Sequence, residues 1–437
     1  MKLPSLRSIE PLRRALRGEF VRHGLLIFGS TTFVNLLNAV FYFVIARRIS
    51  VSDYGALTAL TAGMVVISLP AVIAALVIAR YAAEFHALEE YGKLRSLLEQ
   101  TSVAAFGLGV VIFLLVWMLH VPIESFLRFN NTPCVLIAAC ALGLGLVTPA
   151  LRAVLQGVQE FRGFAISIIC EGAAKVGGGV LLAQHFGVTG AMSGFAIGGL
   201  IGIGAALVSA NPLFGYGRSA FHLDPRRLAQ TMAGVGLSGL CLTALLSVDV
   251  LLVKHYFEPR QAGIYGLVSQ IGKVLVFVAA FIPTLLLPKA TAAVATGKSP
   301  RAVLFQAAAA SLSLTVVALC MLFFFSRFIV QFIGGPNFAR AAPYFFPYGV
   351  AMAVLAGTQL AVTYKIALHR FHFVFPLVAA VILEVAGIVF MHETLWRVIA
   401  IVILGNVASF LAVTVRFSPR ELRAEFVRSQ EVAASPR

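Results

Sequence analysis

Long apolar stretches separated by short polar segments dominate the chain. Twelve of them approach or exceed the length of about 20 residues that a helix needs to cross a hydrocarbon core of about 30 Å. They run approximately over 23–46, 57–79, 101–119, 134–156, 164–184, 189–209, 229–253, 263–287, 302–325, 344–367, 372–391 and 395–415. The weakest separation is at Gly187, between the fifth and sixth stretches. The pattern predicts an all-α polytopic membrane protein with about twelve transmembrane helices.

Composition excludes an ordinary soluble protein. Hydrophobic residues make up 59% of the chain and charged residues 12%, with a mean hydropathy of +0.93, whereas a soluble domain is about 25% charged. The net charge of +16 does not indicate nucleic acid, because the basic residues lie between apolar runs and not in patches interleaved with aromatic residues. We therefore expect basic segments at a membrane surface and no nucleic-acid partner.

The distribution of lysine and arginine predicts the topology, because short cytoplasmic loops are enriched in both. With the N-terminus inside, 24 of the 34 basic residues fall on the inner side and eight on the outer side. Both ends are then cytoplasmic, where the basic segments would meet anionic lipids. This predicts a basic amphipathic segment over 1–22, six-helix bundles over 23–215 and 216–417, and a cytoplasmic tail over 418–437. Residues 1–22 lack the early apolar core of a signal peptide, and they fit either an interfacial helix or simple positive-inside charge.

The two halves of the sequence share a motif. Ala46–Gly55 (ARRISVSDYG) follows the first span, and Val253–Gly266 (VKHYFEPRQAGIYG) follows the seventh. Each has a basic pair, a short acidic turn and a Tyr-Gly pair where the next helix starts. Six helices in each half is an even number, so the two bundles would share one orientation and be pseudo-symmetric about an axis along the membrane normal.

These motifs resemble those of bacterial polysaccharide biosynthesis and export proteins. Ala46–Gly55 is similar to the signature after the first helix of the O-antigen and capsule flippases in the multidrug/oligosaccharidyl-lipid/polysaccharide exporter superfamily. Asp249–Tyr256 and Leu155–Arg162 resemble two later junctions of the same proteins. The resemblance implies two six-helix bundles in a MATE-like V in the bacterial inner membrane. It also implies that the chain flips undecaprenyl-diphosphate-linked oligosaccharide to the outer leaflet, with other polysaccharide-assembly proteins as possible partners.

Charged residues within the spans are the candidate site residues. Each costs about 2.5–3.5 kcal/mol on insertion scales, so it needs a partner or a wet cavity. Substrate-binding candidates are the basic residues Lys175, Lys273 and Arg80, and ion-coupling candidates are the acidic residues Glu171, Glu384 and Asp249. In the functional interpretation they line a polar lumen that attracts diphosphate and binds or releases a proton. In the structural interpretation Glu171 pairs with Lys175 four residues later, while Asp249 and Arg80 reach toward the membrane surface.

Two other functions stay open. A cation-coupled drug exporter of the same superfamily would favour an acidic cavity, but the first span offers only Asn35 and Asn38. A membrane polysaccharide polymerase or ligase would need a large outer loop, and the longest predicted one covers only about 120–133. The five cysteines lack metal-ligand spacing, so we expect no metal, cofactor or catalytic set. Glycines at 190, 194, 198 and 202 form a small-residue ridge that indicates close helix packing.

Overall fold

The computed structural model describes residues 19–221, 232–279, 282–283, 286, 301–368 and 370–415. Within these ranges the regular structure is helical, with thirteen α-helices numbered in chain order. They are α1 (Glu19–Arg48), α2 (Val51–Ala87), α3 (Tyr91–Met118), α4 (His120–Leu127), α5 (Thr132–Gly157), α6 (Phe161–Ala210), α7 (Leu237–Tyr256), α8 (Pro259–Ala279), α9 (Arg301–Phe324), α10 (Ser326–Ile333), α11 (Ala342–Ala367), α12 (Val374–Phe390) and α13 (Leu395–Thr414). The tail over 418–437 and most of the 1–22 segment lie outside the described residues.

The predicted spans are confirmed as helices, and the chain is a multi-pass membrane protein. Ten helical segments of the described chain are long and apolar enough to cross a membrane. One of them contains α6, which covers both the fifth and the sixth predicted stretches. Gly187 interrupts α6 with φ +57° and ψ −132°, a conformation in which a side chain would be strained. The eleventh stretch is α12, which is apolar but only 17 residues long.

The chain divides into two compact units, each containing several separate segments. Unit 1 comprises Met1–Tyr42, Ala71–His120 and Thr132–Pro225. Unit 2 comprises Phe43–Pro70, Val121–Asn131 and Arg226–Arg437. Unit 2 therefore contains the second half of the sequence together with two pieces of the first half.

In unit 1, α5 packs against both α3 and α6. Small residues allow the close approach: a Cβ added to Gly109 of α3 would lie 2.8 Å from the carbonyl oxygen of Gly143 in α5. The glycine ridge of α6 packs the part of this helix after Gly187 onto the part before it. The prediction that the ridge serves packing is therefore confirmed.

In unit 2, α11 is the central helix and packs against α8, α9 and α13, while α12 packs against α7 and α13. Phe345, Met352 and Leu355 of α11 are fully buried. Van der Waals packing of this kind, rather than burial from water, holds helices together within a bilayer.

A short helix follows the third predicted span and another follows the ninth. These are α4 and α10, each eight residues long, and the sequence analysis treated both regions as loops. On α10, Val330 and Ile333 are buried while Phe328 and Phe332 are exposed and stacked on each other. The matching positions of α4 and α10 extend the repeat between the two halves beyond the motifs themselves.

Candidate functional site

A polar cavity opens between α1, α5 and α6 of unit 1. Its volume is about 270 Å³, and polar and charged groups share its wall with apolar side chains. The lining residues are Thr31, Val34, Asn35, Asn38, Arg152, Phe164, Ile168, Glu171, Gly172 and Lys175. Two cations and one carboxylate in one cavity give it a net positive charge, and two of the six predicted site residues meet here.

Arg152 is the ionic partner of Glu171. Its Nη2 lies 2.5 Å from Oε2 of Glu171, and its Nε donates to the Ser167 hydroxyl at 2.9 Å. Ser167 in turn donates to the carbonyl of Gly202 at 2.8 Å. The structural interpretation of the sequence paired Glu171 with Lys175, and Arg152 was not among the candidate site residues. The i, i+4 spacing gave no sign of a partner on another helix.

Lys175 lies between an amide and two aromatic rings. Its ammonium donates to the side-chain oxygen of Asn38. The Nζ atom is 4.9 Å from the ring centroid of Phe195 and 5.5 Å from that of Phe41. The faces of aromatic rings attract cations, so these contacts hold the ammonium at the cavity wall without neutralising it.

The glycine ridge lies directly behind these charged residues. A Cβ added to Gly198 would come 2.8 Å from the Glu171 carbonyl oxygen and 3.0 Å from Cβ of Lys175. A Cβ added to Gly202 would come 3.0 Å from Cβ of Glu171 and 3.2 Å from Nη2 of Arg152. The ridge therefore sets the position from which both side chains reach the cavity.

A second polar cluster is buried in unit 2 around Asp249. Oδ2 of Asp249 accepts hydrogen bonds from Tyr265 at 2.7 Å and from Tyr348 at 2.8 Å, and the Tyr348 hydroxyl is also 3.0 Å from Ser269 Oγ. Asp249 is fully buried, so it does not extend to the membrane surface as the structural interpretation suggested. Its Oδ1 has no hydrogen-bond partner among the described residues.

Lys273 and Glu384 lie close enough to Asp249 for their charges to interact with it. Both residues are buried. Glu384 packs so tightly on α13 that a Cβ added to Gly405 would lie 2.2 Å from its Oε2. Within the described part of the chain this Oε2 and the amide oxygen of Asn406 have no hydrogen-bond partner. Three predicted site residues thus share one buried region, which contains oxygens without a hydrogen-bond partner among the described residues.

Three further basic residues lie in surroundings that the sequence did not predict. Arg80 is exposed on α2 and does not line the cavity. Lys254 and Lys365, which the topology placed at span ends, are only 1% and 2% exposed. Each lies in the last turn of its helix, where a cation is favoured by the helix dipole. The place of these two lysines at the ends of predicted spans did not indicate that they are buried.

The fold of the chain is similar to that of solved transporters of the MOP superfamily. The chain matches no family model and no curated protein. It is similar in structure to a multidrug resistance MATE family transporter in an inward-facing conformation, with a TM-score of 0.69 at 12% identity over 92% of this chain and 96% of that one. The lipid II flippase MurJ in an inward closed conformation gives the same TM-score and identity over 94% of each chain. A MOP superfamily transporter from Pyrococcus furiosus, described as having a binding pocket of reversed polarity, gives 0.56 at 12% identity over 94% of each chain.

Proposed function

We propose that this protein is a flippase for a lipid-linked oligosaccharide carrying a diphosphate, of the undecaprenyl-diphosphate type. The observation that carries the proposal is the net positive cavity of unit 1. Arg152 and Lys175 face it with a single carboxylate, Glu171, as counter-charge. Cations in a low-dielectric cavity attract an anionic group strongly, and a diphosphate is the anionic part of such a lipid.

The cavity also favours this substrate over a cationic drug. An exporter of cations gains from unpaired carboxylates, but Glu171 is already paired with Arg152. The amides of Asn35 and Asn38 can hydrogen-bond sugar hydroxyls or phosphate oxygens. The similarity to a MATE transporter is as strong as that to a lipid flippase, so the drug exporter is the competing outcome of the test.

The buried cluster of unit 2 is the proposed coupling site. Asp249 and Glu384 would take up a proton or another small cation, with Lys273 as the neighbouring positive charge. Uptake or release of such a cation changes the net charge of the cluster, and that change can favour one conformation over another. Arg80 would attract the substrate on its way to the cavity, since it is exposed on α2.

The proposed setting is a bacterial inner membrane with both chain ends in the cytoplasm. The distribution of lysine and arginine supports this orientation. The substrate would then enter from the cytoplasmic leaflet, where it is made, and leave to the outer leaflet for surface polysaccharide assembly. Proteins that polymerise or attach the glycan are the expected partners.

Reconstitution tests the function. Purified protein is placed in liposomes that contain a fluorescent undecaprenyl-diphosphate oligosaccharide, and its transbilayer movement is followed with a membrane-impermeant quencher. We expect movement that is lost in Lys175→Ala and kept in Lys93→Ala. Lys93 belongs to the same unit but pairs with Glu90 outside the cavity. A protein that leaves the glycolipid in place and transports ethidium instead would support the drug exporter.

A further inference from the structure

The two sequence motifs shared by the halves meet inside unit 2. Gly55 of the first motif and Gly263 of the second pack backbone to backbone. A Cβ added to Gly263 would lie 1.8 Å from the carbonyl oxygen of Val51, and one added to Gly55 would lie 2.7 Å from the Gly263 nitrogen. Near them, Thr58 packs against Gly266. The repeated motifs are therefore two sides of a single contact between α2 and α8.

This contact belongs to a larger seam, by which we mean the contacts within unit 2 between 43–70 or 121–131 and the second half of the chain. Several of its hydrogen bonds run from a side chain to a backbone carbonyl. Arg47 donates to Phe332, His255 Nδ1 lies 2.8 Å from the Phe126 oxygen, and Arg128 lies 3.4 Å from the Tyr256 oxygen. The donor residues of these bonds are exposed or partly exposed, so water can replace them at little net cost.

Lys254 lies in this seam as a buried cation. Only 1% of the residue is exposed, and its Nζ has no hydrogen-bond partner among the described residues. The Asp53 carboxylate attracts it electrostatically and Arg128 repels it, while the Phe129 ring lies 5.8 Å away. Asp53 Oδ2 itself accepts a hydrogen bond from Ser50 at 2.8 Å. The attraction by Asp53 therefore offsets only part of the cost of burying Lys254, because the ammonium has lost its water without gaining a hydrogen bond.

We propose that the seam is a gate that opens during transport, and that the buried ammonium of Lys254 keeps it releasable. Closing removes the charge from water, which opposes the packing of Gly55 on Gly263. Opening hydrates Lys254 and Asp53 and recovers that cost. The glycine packing stabilises the closed seam and the burial of Lys254 destabilises it, so the seam can both close and reopen. The proposed topology puts this gate at the outer face, and the inference rests on the proposed transport function.

Two substitutions should act in opposite directions. Lys254→Met keeps a long side chain and removes the buried charge, so the gate should stay closed longer. Asp53→Asn removes the attraction that partly offsets the burial of Lys254, so the gate should open more often. A merely structural ion pair predicts a different result, in which both substitutions loosen the seam.

The measurement is the reactivity of a cysteine placed under the seam. Thr58 is 1% exposed, and Thr58→Cys is made after the native cysteines 134, 140, 170, 241 and 320 are replaced. A membrane-impermeant maleimide is added to whole cells and, separately, to inverted vesicles. From outside, we expect modification at least ten-fold slower in Lys254→Met and several-fold faster in Asp53→Asn. Lys365→Met, at an equally buried lysine of unit 2 that the topology assigns to the other face, should leave the rate unchanged.

Several outcomes overturn the gate. These are no modification of the parent from outside, an equal or faster rate in Lys254→Met, or an equal effect of Lys365→Met. The assay uses no substrate, so its result is separate from that of reconstitution. If the protein moves the glycolipid but the rate of cysteine modification does not depend on Lys254, the gate alone is rejected. If the rate of cysteine modification depends on Lys254 but the protein does not move the glycolipid, the proposed substrate alone is rejected.

Discussion

The carboxylate of Glu171 is paired with the guanidinium of Arg152 on a neighbouring helix, at 2.5 Å. This pairing leaves Lys175, one turn further along α6, to Asn38 and two phenylalanine rings. Neither contact carries a full negative charge, and Glu171 attracts the ammonium without forming an ion pair with it, so the ammonium stays available to an anion. The geometry of this ion pair thereby decides that Lys175, and not Arg152, is the cation of the cavity without an ion-pair partner.

Lys175→Ala should lower transport of the diphosphate lipid by at least ten-fold while the protein stays folded. The loss of one ammonium–phosphate contact corresponds to about 1.5–3 kcal/mol, the range for hydrogen bonds to charged groups. Initial rates in proteoliposomes at several substrate concentrations measure it. Lys175→Arg should recover part of the rate, and a normal rate in Lys175→Ala would reject the cationic cavity.

Glu171→Gln should tighten binding of anions. It removes the counter-charge of Arg152, and the cavity gains one net positive charge. The pair is partly exposed, with Glu171 at 35%, so we expect stability to fall by only about 1 kcal/mol. Titration with undecaprenyl diphosphate in detergent, repeated at raised salt, measures the affinity. Unchanged or weaker binding at low salt would contradict the prediction.

Asp249→Ala should destabilise unit 2 because it leaves the buried Tyr265 hydroxyl without its acceptor. An unsatisfied buried donor costs about 1–3 kcal/mol, which thermal unfolding in detergent can measure. Asp249→Asn keeps an oxygen acceptor and should lose less stability, yet it removes the charge proposed for coupling. Asp249→Asn should therefore be folded and insensitive to a proton or sodium gradient. Gradient-driven transport at the normal rate in this variant would exclude Asp249 as a coupling residue.

Gly263→Ala should strongly destabilise the contact between the repeated motifs. The added methyl would lie 1.8 Å from the Val51 carbonyl oxygen, so α2 and α8 must separate at a cost of about 1–3 kcal/mol or more. Gly204→Ala is the matched control, because nothing lies within 4 Å of its added Cβ and alanine favours a helix by about 0.5–1 kcal/mol. Melting temperatures of the two variants should therefore move in opposite directions. Equal decreases would show that glycine matters at both positions for another reason.

The sequence predicted the helices well because bilayer thickness fixes their length. It also located the break at Gly187, where polar neighbours and a glycine coincide. It missed α4 and α10, since eight residues with only one or two buried side chains resemble a loop. The predicted bundle boundaries at 215 and 417 stay predictions.

The candidate site was predictable in part. The sequence indicates five of its residues because charge within an apolar run is rare: Glu171, Lys175, Asp249, Lys273 and Glu384. Their partners were not, because Arg152, Asn38 and Tyr348 come from other helices and no local spacing connects them. Lys254 was missed for the opposite reason: it lies at the end of a span, where a basic residue is ordinary.

The glycine ridge has a consequence for how substrate range can change. Gly198 and Gly202 hold the backbone behind Glu171 and Lys175 with no free space, so that wall of the cavity cannot recede to admit a larger ligand. Random mutagenesis would score these glycines as specificity residues, although they would act only by displacing the charged side chains. New substrates would have to be gained on α1, where Thr31 and Asn35 are exposed and line the opposite side.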